Sequence, residues 1–125
     1  MKTLVVGVVA ISLCGCGSGV SPPDTGARVR HWIETLRNPD VKLRKQAAFT
    51  LGNLGLTDPT TIVPALVGAL KDTDASVRNE AILALVKCGS TAKDALPELA
   101  EVQRKDADAK VREYAGKAMA KIEGR

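Results

Sequence analysis

Three cysteines, one histidine and an acid–base pentad written three times are the side chains of this chain that could do chemistry. Cys14 and Cys16 stand close together in "LCGC", and Cys88 stands alone. A zinc site gathers three or four Cys, His or carboxylate ligands, and no such cluster is written here. His31, beside Trp32, reads as a surface or capping residue with no nucleophile to serve. Gly15, Gly17 and Gly19 sit in a Gly/Ser/Pro-rich stretch and form no phosphate loop. No catalytic constellation emerges, and nothing implies a cofactor or a metal. The pentads are "DVKLR" (40–44), "DASVR" (74–78) and "DAKVR" (108–112). Their chemistry is recognition: a carboxylate that accepts N–H bonds and a guanidinium that donates them.

The two early cysteines fall at the end of a leader-like stretch. Lys2 supplies a positive charge, and Leu4 to Leu13 form an apolar run too short for a membrane span of ~20 residues. The run ends in "LCGC" (13–16), which resembles the bacterial lipobox: an aliphatic residue, a small residue, Gly or Ala, then Cys. Leu13, Gly15 and Cys16 match; Cys14 stands where Ala or Ser is usual. The resemblance implies that residues 1–15 are a lipoprotein signal peptide and that Cys16 carries the lipid. It further implies a protein of the bacterial cell envelope, lipid-anchored on the outer-membrane or periplasmic side. Two or more acyl chains hold a protein on a membrane stably. "GSGVSPPDTG" then reads as part of a flexible tether, residues 16–27, stiffened at Pro22–Pro23. Cys88 is left as the one internal thiol, so no disulfide is expected. With Lys2 removed, 17 basic residues face 14 acidic ones, a net charge of +3.

The rest of the chain must supply a fold from an unusual composition. It is 45% hydrophobic but only 2% aromatic, with one Trp, one Tyr and one Phe. Ala, Val, Leu and Ile must build the core, which suits close helix packing better than sheets. Charged residues make up 26% and the net charge is +4. The basic excess is small and mixed with acids, so nucleic acid is not an expected partner.

The pentads repeat at a period of 34 residues, and other columns keep step. Leu43, Val77 and Val111 form one column; Arg44, Arg78 and Arg112 form the next. Ala47, Ala81 and Ala115 follow, then Leu51, Leu85 and Met119, then Leu54, Cys88 and Ile122. Self-similarity at such a period marks a stacked repeat array. Val77, Ala81, Leu85 and Cys88 fall in steps of four, four and three, one helical stripe. Asp74 precedes the stripe and can cap the first turn. Gly89 follows it as a stop, with Gly55 as its counterpart in the first unit. A first helix precedes each of these, in 27–40, 60–72 and 92–106, with Pro64 expected near the start of the second. The array therefore predicts three antiparallel helix pairs, near 28–56, 60–90 and 92–123, within a domain spanning 28–125. The third first-helix sets Glu98, Glu101, Gln103 and Arg104 around a thin apolar set, Leu96, Leu99 and Val102, as expected of a unit with one face in water.

An Asp-x-x-Val-Arg opening to a second helix, followed by Ala-x-x-x-Leu and a closing Gly, resembles the HEAT repeat. "VPALVGALKDTDASVRNEAILALVKCG" carries the likeness most fully, and three units cover residues 28–123. The tetratricopeptide repeat shares the period but wants Trp, Gly and Tyr in its first helix and Pro at the end of its second. The resemblance implies an all-α fold, a short right-handed α-solenoid. It also implies that Asp40, Asp74 and Asp108 with Arg44, Arg78 and Arg112 are structural, each Arg reaching the Asp or a carbonyl of the neighbouring unit. A row of arginines holding a polyanion is the competing reading.

In such arrays the second helices line the concave side. Opposite their core stripe lie Lys42, Lys45, Phe49 and Gly52, then Ser76, Asn79, Leu83 and Val86, then Lys110, Glu113, Lys117 and Ala120. Phe49, Leu83 and Val86 are apolar where water is expected, with Lys42, Lys45, Asn79 and Lys117 around them. This is the candidate binding strip; packing between units is its alternative. We expect a non-enzymatic scaffold for an unidentified protein partner, membrane-held through its lipid, a monomer or weak oligomer. Two further readings stand behind it: an accessory subunit of a bilin-lyase-like enzyme, by resemblance to phycobilisome lyase subunits, and a DNA-binding solenoid.

Overall fold

Asp24, Asp40, Asp74 and Asp108 each place a carboxylate ahead of a helix, and each of those helices starts where the carboxylate can accept a backbone N–H. Asp40 Oδ1 accepts from the N–H of Lys42 at 2.9 Å, Asp74 Oδ1 from Ser76 at 2.8 Å and Asp108 Oδ1 from Lys110 at 2.8 Å. The computed structural model describes residues 24–125. Its elements are α1 (Thr25–Thr35), α2 (Val41–Asn53), α3 (Pro59–Ala69), α4 (Ala75–Cys88), the 3-10 helix η1 (Gly89–Ala95), α5 (Leu96–Lys105) and α6 (Ala109–Glu123). The described residues are all helical, as three successive helix pairs: α1 with α2, α3 with α4, and η1–α5 with α6. The second helices stack in sequence, α2 on α4 and α4 on α6. The segment read as a signal peptide, with Cys14 and Cys16, and most of the expected tether lie outside the described residues.

Four local details differ from the sequence reading. The first helix begins at Thr25, three residues before the expected domain start, because Asp24 caps it through Gly26 N–H at 3.0 Å. In α3 the first position belongs to Pro59, where a missing N–H costs little; Pro64 sits inside the helix. Residues 92–95 are not part of an α-helix but of η1, and Pro97 falls at the start of α5. Gly55 directly follows the cap residue Leu54 at the end of α2, but without the positive φ of a glycine stop. Positive φ occurs at Gly89 (62°) and Gly124 (84°) among the described glycines. A Cβ on Gly55 would instead sit on Cys88 Sγ, so this glycine serves close approach between units.

Alanine and glycine let the second helices come together. Ala47, Ala81 and Ala115 are all fully buried. A Cβ on Gly52 would lie 2.8 Å from Ala84 Cα, so Gly52 is in the α2–α4 seam rather than on the open strip where the helical count put it. Leu51, Ile62, Leu66, Ile82, Leu85 and Leu99 fill the core. Leu43, by contrast, is 38% exposed although Val77 and Val111 in its column are buried. Among the described residues no unit precedes the first, so nothing covers that side of α2.

The arginines do not bond the capping aspartates four residues back. Arg44 and Arg78 instead reach the next unit, to a second column of acids two residues before the caps. Arg44 donates from Nε to Asp72 Oδ2 at 2.9 Å and from Nη2 to Asp72 Oδ1 at 3.1 Å. Arg78 does the same to Asp106 at 2.8 and 3.0 Å. Nη1 of each turns back to its own inter-helix turn, Arg44 to Asn38 O at 2.9 Å and Arg78 to Asp72 O at 2.8 Å. Arg112 keeps only that last bond, to Asp106 O at 2.6 Å. The same acid also shapes its own turn: Asp72 Oδ1 accepts the N–H of Asp74, and Asp106 Oδ1 that of Asp108, both at 2.9 Å. Asn38, in the same column, accepts the N–H of Asp40 at 2.8 Å and receives no arginine among the described residues.

Bidentate, charge-assisted pairs are the strong class of hydrogen bond, and these are largely shielded from water. The side-chain exposures are 13% and 11% for Arg44 and Asp72, 14% and 6% for Arg78 and Asp106. Removing one partner strands a buried charge, whereas replacing both by apolar residues need not destabilise. Asp106→Ala is therefore expected to cost about 3–5 kcal/mol, and the double variant Arg78→Met/Asp106→Leu to recover much of it. Urea denaturation of the single and the double variant measures this; an Asp106→Ala cost below about 1 kcal/mol contradicts the staple.

Candidate binding face

The residues with reactive side chains are not gathered. His31 is exposed and meets Trp32 edge-on, ring centroids 5.1 Å apart. Cys88 is buried in the core, where burial pushes its thiol above the ordinary range. Such a thiol is a poor nucleophile because the reactive form is the thiolate. No group of three or more His, Cys, Asp and Glu placed to hold a metal occurs among the described residues. Asp74 is held below the usual carboxylate range, first by the Ser76 hydroxyl and then by the Ser76 N–H, which is the work of a helix cap.

What the fold does assemble is a surface. Phe49, Leu83 and Lys117 are spaced by one repeat each, and the stacking of α2, α4 and α6 sets them in one row. Phe49 is 49% exposed and Leu83 45%. Two large apolar side chains thus stand half in water on adjoining helices, in a chain that otherwise buries most of its Leu, Ile and Val. Half exposure is neither the open groove nor the packed seam of the two sequence alternatives.

The neighbours of this row divide. Lys42 is exposed, Lys45 partly buried, and Val86 partly buried against the core. Asn79 is partly buried and its Oδ1 has no hydrogen-bond donor among the described residues. Lys117 is not free: its ammonium donates to Glu113 Oε1 at 2.6 Å, one helical turn away. That bond holds Glu113 below and Lys117 above their usual ranges. Both side chains are exposed, so the pair is readily exchanged for another partner.

Lys87 belongs to the face and was not read from the sequence. Its ammonium lies 4.1 Å from the centroid of the Phe49 ring and donates to Asn53 Oδ1 at 3.0 Å. A cation over an aromatic face is favourable by about 0.5–1 kcal/mol at an exposed site. The signal was present: Lys87 and Asn53 are one repeat apart, and Phe49 lies one turn before Asn53. Leu56, 72% exposed in the loop after α2, adds apolar surface at the same unit.

The sequence family described as HEAT repeats matches residues 29–120. No curated protein matches the chain. No helix among the described residues is long and apolar enough to cross a membrane.

The buried, high-pKa state of Cys88 has a direct consequence. At pH 8 in native buffer, Cys88 is expected to resist a thiol reagent such as dithionitrobenzoate and to react fully once the chain is unfolded in denaturant. Raising the pH towards 9 should do little while the fold persists. Prompt native labelling of Cys88, assigned by peptide mass, contradicts its place in the core.

Proposed function

The chain belongs to the HEAT-repeat family, and from that premise we propose that it is a non-enzymatic module that holds a protein partner on its second-helix face while a lipid on Cys16 keeps it at the bacterial envelope. HEAT repeats generally mediate protein–protein interaction or scaffolding and are generally non-catalytic. The observation that carries the reading for this chain is the half-exposed pair Phe49 and Leu83. Apolar anchors flanked by long polar side chains are what the centre of a protein interface presents. Lys42, Lys45 and Lys87 set a positive border, which favours a partner with acidic residues beside its apolar ones.

The envelope part rests on the leader. The apolar run to Leu13, the "LCGC" ending and the Gly/Ser/Pro-rich spacer fit a lipidated Cys16 followed by a short tether. From Cys16 to Asp24 is 8 residue steps, at most about 29 Å when fully extended. The module would therefore work close to the membrane surface, on partners that reach it there.

Two measurements test this. Leu83→Asp is expected to fold with a stability change within about 1 kcal/mol of the parent, since half of the side chain is already in water. It should abolish photo-crosslinking of a partner through a probe placed at position 49 in solubilised membranes. Phe49→Ala should cost about 1–2 kcal/mol, below the range for a fully buried Phe. Collapse of folding in Leu83→Asp would return the strip to packing. For the anchor, Cys16→Ser should leave a species without acyl mass that fractionates away from membranes; acylation found on Cys14 overturns the assignment.

A further inference from the structure

The largest cavity described lies away from the strip, between α3 and the η1–α5 segment, with a volume of about 620 Å³. Val63 and Val67 supply apolar wall, Thr60 and Pro64 complete the α3 side, and Asp94 and Glu98 stand on the opposite side. Pro64 has no N–H, so the carbonyl of Thr60, four residues before it, has no intrahelical donor. That spare acceptor belongs to a groove-lining residue. Asp94 has no cationic partner among the described residues, and Glu98 has only Lys71, exposed and 3.9 Å away. Further along α5, Glu101 is already occupied by Arg104 and Lys105. The groove thus combines an apolar wall with two carboxylates and with Thr60 and Thr91, whose hydroxyls already donate to Asp58 Oδ1 and to the Cys88 carbonyl.

We propose that this groove binds a lysine or arginine side chain of a peptide segment, its alkyl stem along Val63 and Val67 and its cationic head among Asp94, Glu98 and the Thr60 carbonyl. A long basic side chain matches the site in both parts, since its stem is apolar and its head carries only donors. The cavity is larger than one such side chain, and the residues flanking it in a peptide fill the remainder. That excess volume favours a peptide over a free amine, which would leave most of the apolar wall wet. The acidic side repels nucleic acid and anionic lipid. The site is built from first helices and is independent of the Phe49–Leu83 face.

The full chain, ¹⁵N-labelled, decides the matter by amide chemical-shift titration with three probes at millimolar concentration. These are the pentapeptide Ac-Leu-Ala-Lys-Ala-Leu-NH2, its norleucine counterpart and n-pentylammonium. The lysine peptide is expected to move Thr60, Val67, Asp94 and Glu98 and to bind at least ~10-fold more tightly than the norleucine peptide, the usual loss when a charged hydrogen bond is removed. Asp94→Asn/Glu98→Gln should weaken it by a similar factor. Pro64→Ala is the sharpest variant. It restores the N–H that satisfies Thr60 and relieves the helix, so its Tm should rise while its affinity for the lysine peptide falls ~3-fold or more. Equal binding of the two peptides, binding unchanged in Pro64→Ala, or pentylammonium as tight as the peptide would each overturn the proposal, as would no shift at the groove with any probe.

Discussion

Every unit of this protein depends on one interaction that no single unit can make: the arginine of one second helix gripping the aspartate of the next turn. Arg44 meets Asp72 and Arg78 meets Asp106 in the same bidentate geometry. Each guanidinium also bonds a carbonyl of its own turn, which holds its orientation towards the neighbour. Each acid also holds the N–H of the capping aspartate two residues on. One aspartate therefore fixes the turn of its own unit and receives the arginine of the unit before. Helix start, turn and stacking distance become a single constraint, repeated. A relaxed turn would pull the carboxylate off the guanidinium and leave both charges poorly solvated.

That constraint explains the composition. With stacking distance set by the staple, the seam between second helices must be thin, and Ala47, Ala81, Ala115, Gly52 and Ala84 make it so. Small residues there leave little room for aromatics, and the chain has only three. Phe49 cannot enter the seam and stays half outside, with Lys87 over its ring. Leu83 is left half outside by the same crowding one helix further on. The surface on which the binding proposal rests is thus a by-product of how tightly the repeats stack. Cys88 belongs to the same story: it faces Gly55 across the units, and any larger residue at position 55 would push the pairs apart.

The first and third units show what stacking does to equivalent residues. Val77 and Val111 are buried, while Leu43 in the same column is partly in water. Arg78 has its acid, while Arg112 keeps only the carbonyl of Asp106 among the described residues. Asn38 stands where Asp72 and Asp106 stand and makes the turn bond without a charge. Neutrality suits that position, because an aspartate there would meet no arginine among the described residues. The first helices are less uniform than the second. Pro59 and Pro64 shape α3, and η1 replaces an α-helical start before α5. The groove opens where these two irregularities face each other.

By itself the sequence determined the period, the all-helical fold, the helix starts at Asp40, Asp74 and Asp108, and the buried alanine column. These are decided over a few residues or by one residue's own side chain, so spacing along the chain suffices: an Asp oxygen reaches an N–H two residues away whatever the rest of the molecule does. The row of Phe49, Leu83 and Lys117 was legible for the same reason, as one column of the repeat. Only the tertiary structure decided which acid each arginine meets, that Gly52 and Gly55 serve contact rather than exposure or turning, that Lys87 covers Phe49, and that a groove borders Pro64. Each depends on the distance and rotation between successive helix pairs. That geometry is the joint result of every side chain in the seam, and no spacing of residue types along one strand of text contains it.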